Sequence, residues 1–167
     1  MSDFKPLDPT ACGLFMVAAI SLPLAAAMLA LDGANMANYL TLFKGAGLII
    51  GIGGLMAYRA ENNFGFTTFM IVALALYCTG AGAGEWAAIL FALLFLVCGV
   101  WGILIKVPWI LVGILVISAA IFILNGLAGG IVEDLDPSKI VGVLAIINFV
   151  ACIYLGCALA TEKLPVI

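Results

Sequence analysis

Residues 86–128 read WAAILFALLFLVCGVWGILIKVPWILVGILVISAAIFILNGLA, and Lys106 is the only charge among them. The run is too long for one buried helix of a soluble domain. Lys106-Val107-Pro108 divides it, because proline cannot continue a helix already under way. Two apolar segments result, Trp86–Ile105 and Pro108–Ala128. At a rise of 1.5 Å per residue, each matches a hydrocarbon layer about 30 Å thick.

The same pattern recurs outward from this pair. Further apolar runs cover Thr10–Leu31, Ala37–Tyr58, Phe64–Ala83 and Ser138–Ala160. The 167 residues are 66% hydrophobic and only 9% charged, whereas a soluble domain carries about 25% charge. The expectation is an all-α integral membrane protein: a single domain over residues 1–167, with six transmembrane helices. Loops this short make consecutive helices antiparallel and leave no room for a soluble domain. The first span exceeds the apolar region of a signal peptide. Lys5, Arg59, Lys106 and Lys163 fall on one side of the spans and Lys139 on the other. Basic residues favour the cytoplasmic face, so both termini are expected there, in a multi-pass protein of the inner or plasma membrane.

Composition also excludes functions. The net charge of −3 gives no electrostatic footing for nucleic acid. There is no histidine, the commonest general base and metal ligand. No paired carboxylates or nucleophile–base set appears in the spans, so neither an enzyme, a metal site nor a cofactor is expected. The five cysteines, Cys12, Cys78, Cys98, Cys152 and Cys157, form no CxxC and read as buried reduced thiols.

Polar and small residues inside the spans are the candidates for function. Lys44, Gly47, Gly51, Gly54 and Tyr58 share one face of the second span. Glycine on such a face lets another backbone approach, and Gly47-x-x-x-Gly51 and Gly126-x-x-x-Gly130 have the small-xxx-small spacing of packed membrane helices. Lys44 is the only charge well inside a span, ~10 Å from the outer end. It either borders an aqueous path and attracts an anion, or snorkels to the headgroups. Asn125 and Asn148 are the strongest uncharged polar groups at depth, and helix glue suits Asn148 best. Asp8-Pro9 has the form of a helix start, and Asn62 or Asn63 should cap the third span. Those two N-termini share a side, where their free N–H groups favour anions. No carboxylate sits at depth, which favours a facilitator or a path in which any proton rides on the solute.

Two stretches carry a resemblance. Asp8-Pro9-Thr10-Ala11-Cys12-Gly13-Leu14 is similar to the Asn-Pro-x-x-Leu-Gly-Leu motif of the acetate uptake transporter family, which includes bacterial succinate–acetate permeases. Asn62-Asn63-Phe64-Gly65-Phe66-Thr67-Thr68-Phe69 resembles that family's Asn-x-Phe-Gly-x-Thr-x-Phe signature. The positions carried over are Asp8, Pro9, Gly13, Leu14, Asn62, Phe64, Gly65, Thr67 and Phe69. The resemblance implies a six-helix protomer with its own pore, assembled as a homo-hexamer. It would act as a channel or permease for acetate and related small monocarboxylates, in some members succinate. The family's narrow apolar constriction, commonly Phe, Tyr and Leu, corresponds by position to Val17, Val72 and Ile114. The expected substrate pathway adds Lys44, Gly47, Gly51, Thr67 and Asn125. Asp8 replaces the usual Asn, Ile50 a polar Gln, and Lys44 an apolar residue. A channel for a neutral solute such as urea or a short amide is the alternative; a scaffold whose glycines only pack helices is a third.

Overall fold

The computed structural model describes residues 9–31, 36–128, 132, 136–161 and 164–165. Six helices follow in order: α1 (Thr10–Met28), α2 (Met36–Arg59), α3 (Asn63–Gly80), α4 (Glu85–Leu104), α5 (Trp109–Gly126) and α6 (Ser138–Thr161). All six are long and apolar enough to cross a membrane. No strand occurs among the described residues. The bounds agree with the expected spans to within a few residues. Asp8, Lys5, Lys163, Gly130 and residues 133–135 lie outside the described residues.

Contacts at the helix ends show that neighbours run antiparallel. Residue 142, at the start of α6, lies against Leu29, and Gly156 against Phe15 near the start of α1. Gly80, ending α3, lies against Leu40 and Lys44 in the first turns of α2, and Gly126 of α5 against Glu85 of α4. One end of the bundle therefore carries Thr10, Arg59, Asn62 and Lys106. The other carries Met28, Glu85 and Lys139.

Three pairs pack most tightly: α2 with α3, α4 with α5, and α6 with α1. Looser seams join α1 to α2, α3 to α4 and α5 to α6, so the helices close a ring in chain order. In lipid the hydrophobic effect does not drive helices together, so close approach of backbones matters more. The α2–α3 pair illustrates this. A Cβ on Gly47 would stand 2.7 Å from the carbonyl oxygen of Ala73, and one on Gly80 would stand 2.5 Å from that of Leu40. Neither position accommodates alanine without parting the helices.

The outward faces are apolar. Leu48, Ile52, Val97 and Val100 are each more than half exposed, as a surface solvated by acyl chains requires. Cys98 and Cys152 are buried as expected, but Cys12 is exposed; with apolar residues on every face of α1, its burial could not be told from the sequence. All five thiols are free.

Candidate functional site

At the turn between α2 and α3, Asn62 is the cap of α3. Its side-chain oxygen accepts from the Gly65 N–H at 2.7 Å, satisfying one of the free donors of a helix start. Its Nδ2 donates to Thr10 Oγ1 at 3.4 Å, joining the starts of α1 and α3. Gly65 is needed here for space. A Cβ would lie 2.6 Å from Asn62 Nδ2, so a larger residue would expel the cap.

Above this cap lies a cavity of about 250 Å³, bordered by Thr10, Asn62, Phe64 and Gly65, by Val107 between α4 and α5, and by Leu155 of α6. A larger cavity of about 350 Å³ occupies the ring toward the other end, and all six helices border it. That volume is within the range of small-molecule sites. Thr68, Phe69 and Leu111 belong to the walls of both cavities. Shared by both walls, they are the partition between two cavities inside one chain.

Phe69 owes its place in the partition to Gly13. A Cβ on residue 13 would overlap the Phe69 ring at Cε1 and Cζ, so α1 must present a bare backbone there. Phe69 is 6% exposed. On the far side, Val17, Val72 and Ile114 all border the larger cavity. They come from α1, α3 and α5, and Val72 and Ile114 each follow a partition residue by one helical turn.

The other sequence-derived candidates divide. Leu14 and Asn125 border the larger cavity. Phe64 borders the smaller one and meets Trp101 edge-on at 5.2 Å. Pro9 precedes α1 and accepts from the Gly13 N–H at 3.0 Å. Lys44, Gly47, Gly51 and Thr67 border neither cavity. Gly47 and Gly51 face Ala73 of α3, and the Lys44 stem crosses Gly80 while the residue as a whole is exposed. The glycine face of α2 is thus filled by a helix.

Two polar residues at depth, Ser21 and Thr68, were not singled out in the sequence, whereas Asn148 was expected as helix glue. Ser21 Oγ donates to the Val17 carbonyl at 2.8 Å. Asn148 Nδ2 donates to Ser21 Oγ at 3.2 Å, tying α6 to α1. Asn148 Oδ1 is left without a partner, as is Thr68 Oγ1. These residues are 3% and 6% exposed. Ser21, Thr79 and Thr161 each donate to the carbonyl four residues back, whereas Thr68 does not. The Cys98 thiol stands beside Thr68. Buried polar groups without partners are uncommon and mark places where something else supplies the bond. Hydroxyl and amide groups facing inward from apolar spans were the available signal, but sequence does not reveal which face turns inward.

No protein-family model, curated protein or solved structure matches this chain.

Proposed function

We propose that the chain is a membrane channel or permease for acetate and related small monocarboxylates, with a pathway through each protomer. The observation that carries this is the pair of cavities inside one six-helix ring that share Thr68, Phe69 and Leu111 in their walls. The motif resemblance at residues 8–14 and 62–69 supports the substrate class. A dry partition costs a bare anion several kcal/mol, because nothing there replaces its hydration. Small, weakly hydrated or protonated acids pass most easily.

The resemblance also suggests a homo-hexamer, and Arg59 and Lys106 at one end of the bundle favour that end as cytoplasmic. Isotope-labelled acetate uptake into proteoliposomes tests the assignment. Flux above that of empty vesicles is expected, and equal flux would dismiss it.

One observation favours a neutral solute such as urea or a short amide. The polar groups at depth, Ser21, Thr68 and Asn148, are all uncharged, and Lys44 lies outside the cavity lining. Urea competing with acetate for the same flux would place both in one pathway.

A further inference from the structure

The Ser21–Asn148 pair fixes which end of an amide the larger cavity receives. Ser21 has one hydroxyl proton, and it is committed to the Val17 carbonyl. Its oxygen can then only accept, so Asn148 must turn its NH2 toward it. The Asn148 carbonyl oxygen is left as the buried, unpaired end of a one-way chain, on a residue that borders the cavity. With the Ser21 hydroxyl on the Val17 carbonyl, this is the orientation of the amide that makes the bond between the two side chains.

Resting on the transport assignment above, the geometry points to Asn148 Oδ1 as a recognition site for an uncharged solute that donates a hydrogen bond. For a monocarboxylate, the species recognised is the protonated acid. A carboxylate has only acceptors, and two acceptors facing each other in an apolar chamber repel. A protonated acid or a primary amide supplies the missing donor. Site and solute are then both satisfied, and analogues lacking the donor leave a buried group unpaired, the basis of strong discrimination. Among the described residues, Glu85 is the only titratable one in the lining of this cavity, and it is on α4, whereas Asn148 is on α6. The pH dependence of recognition accordingly belongs to the solute.

Saturation-transfer NMR on the full chain in detergent micelles tests this independently of flux. Acetamide should give a transfer signal at every pH. Acetate should bind at about pH 5 and lose about tenfold in affinity per pH unit above its pKa. Asn148→Leu should reduce the acetamide signal several-fold. Ser21→Ala frees the amide to turn its NH2 toward the ligand, so it should restore acetate binding near neutral pH. Equal acetate binding at both pH values in the unaltered protein would overturn the assignment. So would an Asn148→Leu protein, folded by circular dichroism, that binds acetamide unchanged. Binding with this pattern but no flux in proteoliposomes would instead remove the transport reading and leave the site.

Discussion

The Phe69 ring lies against Gly13 so closely that a single methyl group on residue 13 would overlap it. These residues come from different helices, and both neighbour the partition between the cavities. Gly13→Ala should displace the ring and lower stability by about 1–3 kcal/mol, the usual range for overpacking. Phe69→Leu should relieve part of that loss, since residues in contact are not additive. Thermal unfolding in detergent of the two single variants and the double variant checks this; strict additivity would contradict the contact.

Phe69→Ala should merge the two chambers and raise solute flux. Val72→Phe should fill the larger chamber one turn away and reduce it. Proteoliposome flux measured side by side distinguishes the positions. An effect of Val72→Phe with none from Phe69→Ala would locate the narrowest point at Val17, Val72 and Ile114.

Asn62→Ala should cost about 1 kcal/mol, the ordinary value of a helix cap. Gly65→Ala should cost a similar amount, because the new Cβ occupies the place of the Asn62 amide. The two changes made together should cost little more than either alone. Denaturation in mixed micelles provides the comparison.

Glu61 holds φ +58° at the end of α2, with the Asn62 N–H bonded to the Ala57 carbonyl beyond it. This is the left-handed residue of a helix terminator, where glycine carries no steric penalty. Glu61→Gly should therefore stabilise the protein by up to about 1 kcal/mol. A lower unfolding midpoint than the parent protein would show that the Glu61 side chain contributes more than its backbone strain costs.

Asp136 accepts from the Ser138 N–H at 3.1 Å ahead of α6. That side-chain and backbone contact with Ser138, helped by Lys139, holds its carboxyl below the usual range. A depressed folded value stabilises the native state above the unfolded pKa of about 3.9, and this is lost as pH falls through the folded value. Asp136→Ala should therefore lower the unfolding temperature at neutral pH and make no difference in strong acid. A gap that persists unchanged in acid would contradict the sign.

What the sequence determined by itself is one-dimensional. Span length, the Lys106-Val107-Pro108 break and a cap at Asn62 or Asn63 depend on residues at most a few positions apart. Hydropathy and local hydrogen bonding suffice to read them. Which face of each helix turns inward was decided only by the tertiary structure. Apolar residues cover both the outward and inward faces, so periodicity gives no direction. Lys44 and the α2 glycines illustrate the consequence: their shared face could be read as a path, yet α3 fills it. Phe69 beneath Gly13, and Asn148 on Ser21, join residues far apart in the chain. Packing in lipid rewards the closest backbone approach and the pairing of scarce polar groups. Both depend on how the ring closes between α1 and α6.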